Sequence, residues 1–243
     1  IGIPGLVGSK NGVIVKTPNL PFENTPIREL FQKEWDIPVY LGNDANCAAI
    51  GEYHAGAAKG AESVLMVTLG TGIGGGFVYK GKLFEGRYHG AMEIGHMIIE
   101  KNGKRRGCGN YGCFEQYASA TGIARLARRT LAKTDKATVL NAETVTAKDV
   151  FDAVKAGDKV AQEVAEEFGY YLAKAMNSIA IVVDPDIFVI GGGVSKAGEI
   201  LLEYVEKQYQ KNALWATKDV KFALATLEND AGICGAAKLV LDI

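Results

Sequence analysis

The run Thr68-Leu-Gly-Thr-Gly-Ile-Gly-Gly-Gly76 constrains this chain more than any other segment. It lies between two strand-like stretches, Ser63–Leu69 and Phe77–Tyr79, and is mostly glycine. Glycines leave consecutive backbone N–H groups bare and able to converge on a phosphate, and Thr71 adds a hydroxyl. Strand rather than helix follows, so the run is neither a Rossmann fingerprint nor a Walker loop. A glycine-rich β-hairpin would explain it without a ligand. A second cluster, Ile190-Gly-Gly-Gly-Val194, follows a strand and precedes a helix, which suits close approach of a nucleotide to the backbone. Steric need alone also puts glycine in such turns. Glycine supplies 30 of the 243 residues, against an average of about 7%.

Around these runs the pattern alternates strands, glycine turns and helices, which predicts an α/β chain with ligands at the strand ends. Short strands are expected at Ile1–Ile3, Gly12–Lys16 and Pro38–Leu41, with Gly5 and Gly8 in a connection. A helix is expected over Pro26–Trp35, capped by Thr25, with Ile27, Leu30 and Phe31 on one face. Gly42–Asn46 leads into a helix ending near His54, and Lys80-Gly81 reads as a hairpin turn into Leu83-Phe84. Helices follow over Phe114–Leu131, Thr146–Lys155, Asp158–Val183, Lys196–Gln210 and Ala231–Leu241. The third of these is long and apolar enough to be a central packing element. Strands are expected at Ile187–Ile190 and Val220–Ala225.

Composition excludes several classes. At 48% hydrophobic and 23% charged, the chain has enough apolar side chain to offset the entropy of ordering its backbone. Lys and Arg number 27 against 28 Asp and Glu, so no net pull on nucleic acid or membrane is expected. The basic stretch Lys101–Arg106 reads as a solvated loop. The strongest apolar stretch, Asn177–Asp184, falls far short of the roughly 20 residues of a spanning helix. Four cysteines and no opening secretory signal predict a cytoplasmic protein without a disulfide framework. Cys47 and Cys234 read as buried thiols, and His54 and His89 as surface or packing residues.

Three places carry candidate chemistry. Asp44, after Asn43 at a strand-to-helix junction, is either an N-cap or a carboxylate kept ionised by the helix terminus to accept a hydroxyl proton. Glu93-Ile-Gly-His96 and Arg106-Gly-Cys-Gly-Asn-Tyr-Gly-Cys-Phe-Glu115 form the most specific constellation. Two cysteines five apart with a histidine upstream suggest a metal site, or two loop thiols.

In this order, the segments Ile3-Pro-Gly5, Pro18-Asn-Leu20, Gly42–Glu52, Leu69–Gly76, Glu93–His96, Cys108–Glu115 and Ala118–Gly122 resemble the ROK family of bacterial sugar kinases over essentially the whole chain. Within that family the glucokinases are most similar, Ser119-Ala-Thr-Gly122 after Glu115 included. The resemblance implies an actin/hexokinase-like (ribonuclease H-like) fold of two α/β lobes with a cleft. Residues 1–44 and the C-terminal helix 231–243 would belong to the small lobe, and 45–230 to the large lobe. It further implies ATP with Mg²⁺, the phosphates at Gly70, Thr71, Gly72, Gly74 and Gly75 and the adenosine near Gly191, Gly192 and Gly193. The hexose hydroxyls would be held by Asn43, Asp44, Glu93, His96 and Glu115, with Asp44 as catalytic base. Such an enzyme would act at the entry to glycolysis, and homodimers or higher homo-oligomers are the family habit. Phosphoryl transfer asks for these parts: in-line positioning, Mg²⁺, donors on the migrating phosphate and a carboxylate for the proton.

Two departures stand out. The family's Zn²⁺ is usually held by the histidine matching His96 and by three cysteines spaced Cys-x-Cys-x4-Cys. Here Cys108 and Cys113 match the last two and Arg106 stands at the first, where a permanently protonated guanidinium cannot ligate a cation. Zinc would need a water or a borrowed group, or the loop holds without metal. The family's opening Asp-x-Gly-Gly-Thr hairpin is also missing, so the small lobe is expected to be incomplete and Ile1 to match a point well inside it. Rival readings are a kinase for N-acetylmannosamine, fructose or allose, and a sugar-responsive repressor whose DNA-binding segment lies outside this sequence.

Overall fold

A computed structural model describes residues 1–17 and 20–241, so Pro18 and Asn19 of the Pro18-Asn-Leu20 motif lie outside the described residues. In chain order the elements are β1 (Gly2–Ile3), β2 (Leu6–Gly8), β3 (Val13–Lys16), β4 (Glu23–Thr25), α1 (Ile27–Glu34), β5 (Gly42–Asn43), α2 (Asp44–Ala55), β6 (Ser63–Leu69), β7 (Ile73–Tyr79) and β8 (Lys82–Leu83). There follow α3 (Glu115–Ala118), α4 (Ala120–Leu131), α5 (Ala147–Lys155), α6 (Lys159–Val183), β9 (Ile187–Gly191), α7 (Glu199–Asn212), β10 (Lys221–Leu224) and α8 (Asp230–Leu241). The chain is α/β, as expected. It divides into two compact units: Ile1–Val67 with Gly75–Glu93 and Ala225–Ile243, and Thr68–Gly74 with Ile94–Leu224.

In the first unit β1 pairs parallel with β5, Ile3 opposite Asn43. Strands β2, β3 and β4 form an antiparallel sheet. Ile3, Val7, Ile14, Val39 and Leu41 make its buried core, with Phe22, Ile27 and Phe31 packed against them. Several expectations need correction here. Strands β2 and β4 were not foreseen: each is only three residues long, β2 ending on Gly8 and β4 being polar Glu-Asn-Thr. Residues 38–41 are not strand, since ladder pairing begins only at Gly42. Val39 and Leu41 are nevertheless buried. Pro26, not Thr25, precedes α1 without a side-chain cap bond, and Leu30 points out at 46% exposure. Helix α2 packs on α8 through small residues, with Gly51 against Ala231 and Gly235 against Cys47. The Lys80-Gly81 turn takes φ of 51° and 76°, the left-handed pair of a tight hairpin, and joins β7 to β8 with Val78 opposite Leu83.

In the second unit α6 is the central element expected. Asp158 caps its start, and Val164, Phe168, Leu172 and Met176 are fully enclosed. Each such side chain contributes about 1.5–3 kcal/mol of burial. Helices α4, α5 and α7 surround it. Strands β9 and β10 pair parallel, Phe188 opposite Phe222, and Tyr209 of α7 packs edge-on to both rings. Thr146 opens α5 in a capping box with Asp149. The single helix expected over 114–131 is two helices. Ser119 divides them: its hydroxyl donates to Glu115 O at 2.7 Å and accepts from Gly122 N at 3.0 Å, closing α3 and capping α4.

Candidate active site

Asn43 and Asp44 begin α2, and they divide the work at its N-terminus. Asn43 is the cap: its Oδ1 accepts from Ala45 N at 2.9 Å and Asn46 N at 3.1 Å, and its Nδ2 donates to Gly5 O at 3.0 Å. That spends both lone pairs of the amide oxygen and one of its two N–H donors, leaving one N–H for a ligand. The N-cap reading of Asp44 is therefore corrected. Asp44 is the first helical residue, exposed, with Oδ1 accepting from Ala45 N at 2.9 Å. A carboxylate there is stabilised by the positive end of the helix. Glu93 of the same unit is also exposed. The residue before it, Met92, takes φ of 62°, a left-handed conformation that costs a non-glycine residue of order 1 kcal/mol and recurs at functional loops.

The second unit gathers Gly70–Gly72, His96, Arg106, Cys108, Cys113 and Glu115. The glycine run is shorter as a loop than its composition implied, because β7 already begins at Ile73. Gly70, Thr71 and Gly72 form the turn, while Gly74 and Gly75 lie in the strand. Gly70 N bonds Gly72 O at 3.0 Å, and Ala120 N bonds Gly70 O at 2.8 Å. The Thr121 hydroxyl donates to Thr71 O. The start of α4 thus straps the turn, a role not foreseen for Ala120 or Thr121. Gly192, in the turn after β9, holds φ of 84°, and a methyl group on it would lie 2.6 Å from Leu69 O. The second glycine cluster is thereby pressed against the end of β6, where only a bare Cα fits.

Residues 97–114 fold back on themselves, with Phe114 N on Met97 O at 2.7 Å, Ile99 N on Gly112 O at 2.9 Å and bridges between Ile98 and Cys113 and between Arg105 and Tyr111. Lys104 N is held by the Tyr117 hydroxyl at 2.9 Å. Within this loop Arg106 donates Nε to Glu115 Oε1 at 2.7 Å and Nη2 to Glu115 Oε2 at 3.0 Å. Its Nη1 meets His96 Nε2. Glu115 Oε2 also accepts from Ile73 N at 3.1 Å. The Arg106 and Glu115 side chains are 15% and 20% exposed. Burial works against the guanidinium charge, and the bonds and charge of Glu115 outweigh it, so its pKa rises.

Cys108 is exposed, Cys113 is buried, and their sulfurs stand 3.9 Å apart. The backbone N–H of Asn110 lowers the pKa of Cys108, burial opposes it, and Arg106 adds to the lowering. Burial and then Cys108 raise that of Cys113. His96, Cys108 and Cys113 were the candidate zinc ligands. Among the described residues no group of three or more His, Cys, Asp or Glu side chains is placed to hold a metal ion. A structural zinc needs four converging ligands, and here His96 is met by Arg106 instead, so the residues present do not fit it. Cys47 is buried as expected, while Cys234 is exposed rather than buried. No helix of the described residues is long and apolar enough to cross a membrane.

Comparison with known proteins bears on the whole chain. The ROK family profile matches residues 1–243. A glucokinase of Halalkalibacterium halodurans is 40% identical over 99% of this chain and 74% of its own. A xylose repressor of Caldicellulosiruptor bescii is 28% identical over 99% of this chain and 61% of its own. The crystal structure of a ROK family glucokinase from Streptomyces griseus, in complex with glucose and AMPPNP, matches with a TM-score of 0.86 at 33% identity, covering 98% of this chain and 79% of that one.

Proposed function

Because this chain belongs to the ROK family, we propose that it transfers the γ-phosphoryl group of ATP to a hexose, glucose before other sugars, with Asp44 as the catalytic base. The fold is that of the ROK sugar kinases. The kinase reading draws support from the glucokinase relatives, one of them solved with glucose and an ATP analogue. The family also holds a repressor relative, so membership alone does not separate phosphorylation from sugar sensing. The observation that carries the kinase is the division of labour at α2. Asn43 takes the capping bonds, which leaves an exposed, helix-stabilised carboxylate at Asp44.

In the proposed reaction Mg-ATP is the donor substrate, and the Gly70–Gly72 turn meets its phosphates through the amides of Thr71 and Gly72 and the Thr71 hydroxyl. Gly74 and Gly75, at the start of β7, extend the phosphate-facing run, and Gly191–Gly193 accommodate the adenosine. Asn43, Glu93, His96 and Glu115 hold sugar hydroxyls, so that the attacking hydroxyl stands in line with the γ-phosphorus. Asp44 receives its proton as the O–P bond forms. Positioning and charge neutralisation supply most of the acceleration in such transfers, and the base a smaller factor. The lobe assignment of 1–44 with 231–243, and of 45–230, belongs to the same proposal.

The test is turnover of a hexose panel with Mg-ATP, following ADP and hexose phosphate together. Glucose should have the highest kcat/KM. Asp44→Asn should lower kcat by about 10²–10⁴ while glucose affinity by calorimetry changes little. Near-normal turnover in that variant would remove Asp44 from the role, and hexose binding without turnover in the unaltered protein would favour the sensing alternative.

A further inference from the structure

We propose that the Arg106 guanidinium is the fixed cation of the 96–115 loop, replacing a metal ion as the group that positions Glu115 and His96. Its link to sugar binding rests on the kinase reading above; its link to metal independence does not.

The geometry is that of a three-armed clamp. Nε and Nη2 hold the two Glu115 oxygens at 2.7 and 3.0 Å, and Nη1 holds His96 Nε2. Two parallel bonds fix the carboxylate plane as well as its distance, which a point charge does not do. A guanidinium has only donors, so His96 Nε2 must accept, and the ring must carry its proton on Nδ1. One ring nitrogen is therefore tied to a cation and the other presents a single N–H, the division that metal ligation imposes on a histidine. The backbone of Arg106 is itself fixed, with its N–H on Asn110 O at 2.8 Å and its carbonyl accepting from Gly109 N at 3.0 Å.

Zinc and this clamp exclude one another. A tetrahedral site would need the space and the His96 nitrogen that Arg106 takes, and it would place a second cation beside the guanidinium. The thiols keep what the loop would need if Arg106 were absent. Cys108 and Cys113 sulfurs lie 3.9 Å apart, close to the ~3.8 Å edge of a tetrahedron with bonds of about 2.3 Å. Replacing Arg106 by cysteine would then supply the third thiolate and release His96 as the fourth ligand.

The experiment compares the unaltered protein with Arg106→Cys, Arg106→Ala and Arg106→Lys. Each is incubated with excess Zn²⁺, passed through a desalting column, and analysed for metal content, for Tm with and without EDTA, and for hexose affinity. The unaltered protein should retain well under one zinc per chain, with Tm and hexose Kd indifferent to EDTA. Arg106→Cys should retain about one zinc per chain and lose Tm when it is chelated. Arg106→Ala and Arg106→Lys should raise the hexose Kd at least tenfold with the KM for ATP little changed, and zinc should recover affinity in Arg106→Cys alone. Stoichiometric zinc in the unaltered protein, or hexose affinity in Arg106→Ala equal to the original, overturns the proposal. If Arg106→Ala fails to fold, the metal content of the other proteins still decides. If no hexose binds the unaltered protein, the kinase reading falls while the zinc and Tm measurements judge the clamp by themselves.

Discussion

Gly72 and Glu115 meet with no room for another atom: a methyl group on residue 72 would lie 2.4 Å from Glu115 Oε2. That oxygen is the one shared by Arg106 Nη2 and Ile73 N. The glycine run therefore serves two ends in this unit, a tight turn and a close seat for a carboxylate.

Gly72→Ala is expected to spare the fold and harm the site. The obstructing atom is the end of a flexible side chain, so Glu115 swings away rather than the backbone moving. The bonds to Arg106 and Ile73 are then lost. Hexose KM should rise about tenfold, equivalent to ~1.4 kcal/mol, with Tm shifted by no more than a few degrees. A Tm collapse with unchanged KM in the folded fraction would show that Gly72 is needed for the chain alone.

Thiol labelling reads the same loop from outside. Cys108 and Cys234 are exposed, whereas Cys47 and Cys113 are buried, and burial pushes the Cys47 thiol up to about 11. Thiolate fraction and access set alkylation rates. Iodoacetamide at pH 8 should modify Cys108 and Cys234 first, Cys113 later and Cys47 last, as read by peptide mass spectrometry. Equal rates at Cys108 and Cys113 would contradict the buried placement of Cys113.

What could be read in advance follows from where the controlling interactions lie along the chain. β6, α5 and α6 were legible because their signals are local: β-branched apolar runs, Thr146 with Asp149 three residues on, and Asp158 before a long apolar face. The break at Ser119 was also written locally, as a cap-type residue before Ala-Thr-Gly, but helical spacing on both sides masked it. The pair Arg106–Glu115 was not legible as a contact, since eight residues of mostly irregular chain separate partners that only the folded loop brings together. Sequence showed that Arg106 could not bind a metal. Only the fold showed what it binds instead.

Glu52 was likewise hidden inside the Gly42–Glu52 motif, with no role of its own in the sequence. It is fully buried and accepts from Ala57 N at 2.7 Å, Leu227 N at 2.8 Å, Thr226 N at 3.2 Å and the Thr226 hydroxyl at 3.3 Å. Glu52→Ala removes the acceptor and strands those donors out of water. The expected loss is about 3 kcal/mol of stability by urea unfolding, and Glu52→Gln should recover only part of it, because its amide turns a donor toward donors. A change below ~1 kcal/mol in Glu52→Ala would mean that water replaces the carboxylate.

Asp158 gives the stability its clearest dependence on acid. Its Oδ1 accepts from Val160 N at 2.9 Å and Ala161 N at 3.0 Å, and its Oδ2 from the Thr138 hydroxyl at 2.7 Å and Val139 N at 2.8 Å. Burial alone would favour the neutral acid, but these bonds outweigh it and hold the carboxyl below its ordinary value of 3.8. A folded pKa below the unfolded one means that the unfolded chain takes up the proton first as pH falls. The stabilisation is therefore complete at neutral pH and begins to fade as the pH nears the ordinary value of 3.8. It is lost once the pH passes below the folded pKa. Asp158→Ala should cost about 1–2 kcal/mol at pH 7 through the lost cap on α6, and the gap between variant and parent should narrow as the pH is lowered from 5 to 3. A gap that stays constant over that range would show that the cap works through its shape and not through its charge.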